Sequence, residues 1–467
     1  MILCFRRLDF VFFYIVNEFL IASNYKVSLN RILLIILSFV FLTSPANSLT
    51  QWQKIKEKGY LSWITRPSPL TYYNSLDGII GLEHDILKGF CEENNINLIT
   101  LSANSNYELF KRYDSENIDI VGGHLSLTKE RLTKYKASDA YDKTSVHIIS
   151  SLRKPKIRGL EYLPEYRGVV LENSSYGAVA TSLIKNQQAN IELYNGESIY
   201  ELLQDVMYGK IDYTLADIGI YNIFRSYVPK LRLGQKVSNE QSLVFYNKNL
   251  NDDSLIVELN KYLKKYIFQN KVNRYKKFLQ QTLPKSKPAD TVQFMKNYNK
   301  RWQEVKPLID TVAEKYGINP ILLAAISYQE SHWNADAVSP TLVKGLMMLT
   351  KAVAEEQGVK NRFDPFQSLE GGVKHFLKMK QTIPERISEP DKTYFALAAY
   401  NIGYGNLEKA RVITQMNGKN PDIWEDVKEH LPELNDMDGF NVDGKTAVRY
   451  VENIRVYQKL LQWKQQI

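Results

Sequence analysis

The sequence predicts a multidomain protein, a two-lobed α/β domain followed by an all-α domain. Three observations lead there. Its 467 residues are too many for one ordinary core. Between about 52 and 280, short β-rich runs alternate with helical ones, the pattern of βαβ units around a parallel sheet. From 292 to the end, apolar residues recur at helical spacing, with Pro or Gly at the joints and no alternating strand-length runs.

The N-terminus reads as an export signal. Lys26 and Arg31 precede an 11-residue apolar run, ILLIILSFVFL at 32–42, and Ala46 and Ser48 follow at the spacing of a small-residue cleavage site. The run is shorter than the roughly 20 residues needed to span a bilayer. An earlier apolar stretch around 11–23 is explained by a start assigned too far upstream or by a second membrane segment. The first explanation is simpler, because one export signal suffices. Cys4 would leave with the signal and Cys91 would remain alone, so no internal disulfide is expected. Cys91 lies in HDILKGFCEENN, one turn after Leu87, and reads as a core thiol.

The next elements are strands and helices in turn. GYLSWIT and INLITLS bracket the helix containing Cys91, and IDIVGG follows a further helical stretch. A second set begins with YRGVVLEN, continues through SIYELLQDVMYGKIDYTLAD and ends near SLVFYN. Two such sets imply two lobes with a cleft between them. TLPKSKPADT has two prolines, two lysines and no apolar period, which marks a linker. The expected organisation is an export segment at 1–48, an α/β domain at 49–281, a linker at 282–291 and a helical domain at 292–467. The net charge of +9 favours anionic partners such as acidic lipid surfaces or glycans. No basic cluster interleaved with stacking aromatics stands out, so nucleic acid is not an expected partner.

In the helical part, Asn319 and Pro320 form a helix start, an N-cap residue followed by proline at the first position. Leu322, Leu323 and Ile326 make its apolar face, and Glu330 lies four residues beyond Ile326 in the same direction. Desolvation and the negative end of the helix both disfavour the charged form there and raise the pKa. A glutamic acid kept protonated near neutral pH is what a general acid requires. The last helix carries Ala447, Val451, Ile454, Tyr457 and Leu461 along one buried stripe. His332 and the other histidines have no metal-ligand spacing, so no metal and no cofactor are expected.

Downstream of Glu330 stand Ser331, Trp333, the Ser339–Pro340 pair, Gly345–Leu346–Met347, LAAYNIGYG at 397–405 and YVENIRVY at 450–457. In that order they resemble the lytic transglycosylase domain of the soluble-murein-transglycosylase type, an all-α, lysozyme-like fold. The resemblance implies non-hydrolytic cleavage of the β-1,4 bond from N-acetylmuramic acid to N-acetylglucosamine in peptidoglycan, leaving a 1,6-anhydro ring. Glu330 would be the single catalytic acid and base. Tyr400 would orient Glu330, Ser339 would contact the sugar, and Asn401 and Tyr450 would line the groove. Ser331, Gly345 and Met347 would complete the substrate-binding set. Two positions depart from the family pattern: Met348 stands where Gln is usual, and Leu342 where Gly is common. A backbone at φ > 0 would strain Leu342. Two rival readings are a hydrolytic muramidase using a second carboxylate such as Asp336, and a receptor whose helical domain is only structural.

HLSLTKERLTKYKASDAY resembles the family 3 extracellular solute-binding proteins, which implies a periplasmic-binding-protein-like fold. In that family an arginine, here Arg131, holds a ligand carboxylate, for which its planar fork is suited. GKIDYTLADI resembles a later element whose aspartate, here Asp217, holds a ligand ammonium, and Tyr72 falls near the aromatic wall. The implied ligand is an amino acid or muropeptide that regulates access to the catalytic groove. The combined resemblance implies a periplasmic enzyme peripherally associated with the outer membrane.

Overall fold

The computed structural model describes residues 49–76, 78–196, 198–284, 287–436 and 443–466. The export signal expected in 1–48 lies outside the described residues. Lobe 1 contains β1 (Tyr60–Thr65), α1 (Leu82–Glu93), β2 (Asn97–Ser102), α2 (Asn106–Ser115), β3 (Ile120–Val121) and β4 (Lys136–Ala137). Lobe 2 follows with β5 (Val146–Ser151), β6 (Gly168–Leu171), α3 (Ser175–Lys185), β7 (Ile191–Tyr194), α4 (Ile199–Tyr208), β8 (Tyr213–Asp217), α5 (Ile218–Phe224) and β9 (Leu231–Lys236). The chain then returns to lobe 1 through β10 (Tyr246–Asn247), α6 (Ser254–Phe268) and α7 (Lys271–Thr282).

Each lobe is built on a five-stranded sheet, ordered β2–β1–β3–β10–β4 and β7–β6–β8–β5–β9. The parallel pairing expected from the βαβ pattern holds for β1 with β2 and β3, and for β6 with β7 and β8. β10 and β5 run antiparallel to their neighbours. These are the strands the chain enters just after crossing between lobes, so they arrive from the opposite direction. The two crossings pair as a ribbon, Asp142–Thr144 against Gln241–Leu243. Every residue of β8 is buried, which explains why its sequence lacks a clean polar alternation. Cys91 is buried in α1, as expected.

The helical domain comprises α8 (Pro288–Tyr316), α9 (Pro320–Ser331), α10 (Pro365–Thr382), α11 (Asp391–Ile402), α12 (Tyr404–Met416) and α13 (Gly444–Gln466), with shorter helices between. α8 begins inside the predicted linker: Pro288 supplies its N1 position, where a missing N–H costs nothing, so 288–291 are its first turn. α13 packs on α9 and α11 through the predicted stripe, with Ala447, Val451, Ile454, Tyr457 and Leu461 all buried. Its C-terminal end reaches the α/β domain. There Trp463 packs edge-on to Tyr200 at 4.0 Å and stacks on Tyr227 at 4.3 Å, and Gln466 pairs with the Asn74 backbone at 3.0 and 2.8 Å.

Candidate active site and ligand cleft

Asn319 opens α9 by accepting hydrogen bonds from the Ile321 and Leu322 amides at 2.8 and 3.2 Å. The helix then buries Leu322, Leu323 and Ile326 and ends at Ser331. Beyond it the chain turns sharply, with His332 and Trp333 both at positive φ, 54° and 58°. Trp333 anchors the turn: its indole donates to the Ala324 carbonyl at 3.0 Å and its ring lies 4.8 Å from Tyr328 and 5.1 Å from Trp302. The last helical turn therefore cannot fray, and Glu330 is fixed with one edge on a cleft of about 810 Å³.

Two influences act on Glu330. Burial pushes its carboxyl up, and a hydrogen bond from the Tyr450 hydroxyl to Oε1 at 2.5 Å pulls it part of the way back, leaving it at about 7. Tyr450 itself is held well above the usual tyrosine range, by burial and then by the nearby carboxyl, so it remains a donor. The expectation that Tyr400 would bond Glu330 is corrected here. Tyr400 stacks on Tyr450 at 6.3 Å, and its hydroxyl donates at 3.4 Å to the Met347 carbonyl. It backs the residue that bonds Glu330.

The remaining predicted residues divide into groove and scaffold. Asn401 and Tyr450 line the cleft with Glu330. Ser339 sits in the following loop and shares a 2.9 Å hydrogen bond with the Thr341 hydroxyl. Ser331 and Met347 are corrected from substrate contacts to scaffold. Ser331 is buried, donates to the Ser327 carbonyl and accepts from the Asn334 amide, both at 3.2 Å. The Met347 side chain is buried against Gly372. Gly345 holds φ 83°, and a Cβ there would fall 1.8 Å from the Arg362 carbonyl oxygen. The two departures also have a backbone reading, since Leu342 and Met348 occupy φ 61° and 45°. Leu342 is thus in the conformation that favours glycine, and the Arg362 guanidinium steadies it by donating to its carbonyl at 3.0 Å. Asp336 is exposed and does not line the cleft; Asp290, from the first turn of α8, does.

In the α/β domain, Arg131 lines a second cleft of about 730 Å³ with Asn106, Glu172 and the start of α3 at Ser174 and Ser175. Its guanidinium donates to the Ser126 carbonyl at 2.9 Å and lies over Phe110 and Tyr246. Asp217 is corrected: it is fully engaged and lines no described cleft. Its Oδ1 accepts from the Gly219 and Ile220 amides at 2.9 and 3.0 Å, capping α5, and from Thr144 at 3.0 Å. The Tyr176 hydroxyl takes its other oxygen, and His124 sits 3.1 Å away. Burial works against both charges of this pair. For His124 the Asp217 carboxylate outweighs it and holds the imidazole above its ordinary value, while the imidazolium and these hydrogen bonds hold Asp217 well below the carboxylate range. The His124 side chain from lobe 1 thus takes the place expected of a ligand ammonium. Tyr72 is also corrected, since it packs on Trp63 and His84 rather than lining either cleft. Sequence reasoning missed His124 and Glu83. The Glu83 carboxylate accepts from the Gly123 and His124 amides at 2.7 Å each and from Tyr141 at 2.5 Å. Its only sequence signal is an acid on a helix turn that also carries Leu82 and Ile86.

Comparison with known proteins defines the class first. Residues 61–315 match the bacterial extracellular solute-binding proteins, family 3, and residues 307–423 match the Transglycosylase SLT domain. The combination is a solute-binding-like domain fused to a helical transglycosylase domain. The membrane-bound lytic murein transglycosylase F of Pectobacterium atrosepticum is 34% identical over 420 residues, covering 88% of this chain and 87% of that protein. The one from Alcanivorax borkumensis is 33% identical and covers 92% of this chain and 93% of its own. Among solved structures, an amino acid ABC transporter substrate-binding protein from Streptococcus pneumoniae bound to L-arginine aligns at TM-score 0.44 and 18% identity, over 50% of this chain and 97% of that one. The chain belongs to the membrane-bound lytic murein transglycosylase F family.

Proposed function

We propose that the protein is a peptidoglycan lytic transglycosylase in which Glu330 is the sole catalytic carboxylate. The observation that carries this reading is the state of Glu330: half-buried beside a cleft, held at about 7, bonded by Tyr450, and influenced by no second carboxylate among the described residues. Near neutral pH a large fraction is protonated. The acid gives its proton to the glycosidic oxygen as the bond from muramic C1 breaks, so N-acetylglucosamine leaves as an alcohol. The muramic C6 hydroxyl attacks C1 and closes the 1,6-anhydro ring, and the Glu330 carboxylate takes the proton that hydroxyl releases. No water is consumed. A glycosidase that activates water or forms a covalent intermediate needs a second carboxylate; here the nucleophile is tethered within the substrate, which supplies much of the rate advantage.

The proposed division is a regulatory domain through 282 and a catalytic domain from 288, with the expected linker of 282–291 narrowed to 283–287 because α7 ends at Thr282 and α8 begins at Pro288. The regulatory ligand would be an amino acid or muropeptide whose carboxylate meets Arg131; the ammonium clamp at Asp217 is withdrawn because that side chain is already saturated. We place the protein in the periplasm, peripherally attached to the outer membrane. The name its relatives carry supports attachment, and among the described residues no helix is long and apolar enough to cross a membrane.

Digestion of purified sacculi followed by mass analysis tests the reaction. The expected muropeptides are lighter by one water than hydrolytic products, and Glu330→Gln lowers the rate by roughly 100- to 10,000-fold, the usual worth of a general acid. Hydrated products would assign the chemistry to a hydrolase, with Asp290, Glu425 and Glu452 as the other cleft carboxylates to examine. A Glu330→Gln variant as fast as the parent would remove the site altogether.

A further inference from the structure

The α6–α7 hairpin carries an exposed surface that neither proposed activity uses. Between Ser254 and Thr282 it has seven basic residues against one acid, so its charge strongly favours an anionic partner. The cations near the body of the domain are engaged: Lys261 with Glu258, Lys264 with Asp139, Lys265 with Glu93 and Lys276 with Asp142. Those toward the tip and outer face of α7 are not paired with acids among the described residues. Lys271 lies over the Tyr266 ring at 5.1 Å, Arg274 donates to the Gln269 carbonyl at 2.8 Å, and Lys277 is exposed. At the hairpin turn Phe268 is 92% exposed, beside Ile267 at 42%. On α7, Phe278 at 43% shares a helix face with Lys271 and Arg274, which precede it by seven and four residues.

We propose that this hairpin tip is the membrane-docking surface of the protein, with Phe268 and Ile267 entering the headgroup boundary of a bilayer and Lys271, Arg274 and Lys277 meeting anionic phospholipid. The proposal rests on the reading of the protein as peripherally membrane-attached, and it names where attachment occurs. An exposed aromatic at a helix end, on a hairpin with cations that lack acidic partners among the described residues, has the chemistry of an interfacial anchor: apolar area buries at the acyl boundary while basic side chains remain among the headgroups. A purely electrostatic partner would leave Phe268 without a role, and a purely apolar partner would leave three charges unmatched. The hairpin also leads toward the proposed catalytic cleft, which Gln281 in the last turn of α7 and the following Leu283 and Pro284 line.

The test uses the full chain and vesicles of phosphatidylethanolamine with one quarter phosphatidylglycerol, or phosphatidylcholine alone. In Phe268→Trp, the added indole emission should shift to the blue and be quenched by brominated acyl chains with the anionic vesicles only. Reversing Lys271, Arg274 and Lys277 to Glu should weaken partitioning by roughly 100-fold or more, from the headgroup attraction each cation contributes, while sacculus digestion in solution stays at the parental rate. If the Phe268→Trp protein binds without any change in the added emission, and the triple reversal binds as the parent does, the surface is overturned while peripheral attachment stands. Failure of the parent to bind anionic vesicles removes the attachment reading and this proposal together. Blue-shifted emission before lipid is added means that the chain itself covers the patch, which also overturns it.

Discussion

Glu330 is set by the opposition of burial and one hydroxyl, and each can be changed separately. Removing the Tyr450 hydroxyl takes away the donor that favours the charged form, so the carboxyl should titrate above about 7. In Tyr450→Phe the alkaline limb of kcat/KM should therefore move to higher pH, with a rate loss of about tenfold for one hydrogen bond to a charged group. A limb that stays put or moves down would show that the hydroxyl does not act on this carboxyl. The same raised pKa carries a stability cost. Glu330 binds its proton more tightly folded than unfolded, so stability is fully present below the unfolded value near 4.5 and declines as pH rises toward 7. Glu330→Gln cannot ionise and should be more stable than the parent at pH 8, by up to about 3 kcal/mol. The carboxyl keeps one edge on the cleft, which makes that figure an upper bound. Thermal melts at pH 5 and pH 8 check it: the difference should be small at the lower pH and appear at the higher.

At the scale of elements, caps and turns decide which residues are free for chemistry. Asp217 ends β8 and begins α5, and its position forces its carboxylate onto the first amides of that helix. It also holds His124 from the opposite lobe, so the same side chain caps a helix and fastens lobe 1 to lobe 2. Asp217→Ala should therefore destabilise the protein by about 3–5 kcal/mol, the cost of stranding a buried charge, rather than act only on ligand affinity. Urea denaturation measures this. A variant with parental stability that has lost only ligand binding would restore the ammonium-clamp role. Ser331 and Gly345 follow the same logic, since one ties off the end of α9 and the other lets the following loop pass the Arg362 carbonyl. These positions act through the geometry they impose on Glu330.

For the whole molecule, what could be read in the sequence was what repeats locally. Helical spacing alone placed Glu330 with Leu323 and Ile326, and the stripe on α13 was legible from Ala447 to Leu461. The bond from Tyr450 to Glu330 joins residues 120 apart, and no periodicity encodes which of two stacked tyrosines comes closer. The antiparallel strands were hidden for a similar reason: β10 is two residues long, and its direction follows from the chain crossing between lobes. The contact between the domains was equally silent, because Trp463 reads as one more apolar residue on a helix. In the structure Trp463 is fully buried among Tyr200, Phe224 and Tyr227 of lobe 2, on the helix whose earlier turns carry Tyr450. One helix thus touches both the α/β domain and Glu330. Trp463→Ala should cost about 3–5 kcal/mol as a large buried aromatic, and the loss should fall mainly on the contact between domains. Calorimetry of the parent should give one cooperative transition, and the variant should split it into two as the domains melt independently. Because α13 also positions Tyr450, sacculus digestion should slow in the variant even well below its first transition. A single unsplit transition with parental digestion would mean that Trp463 only fills space and that α13 does not bind the two domains into one folding unit.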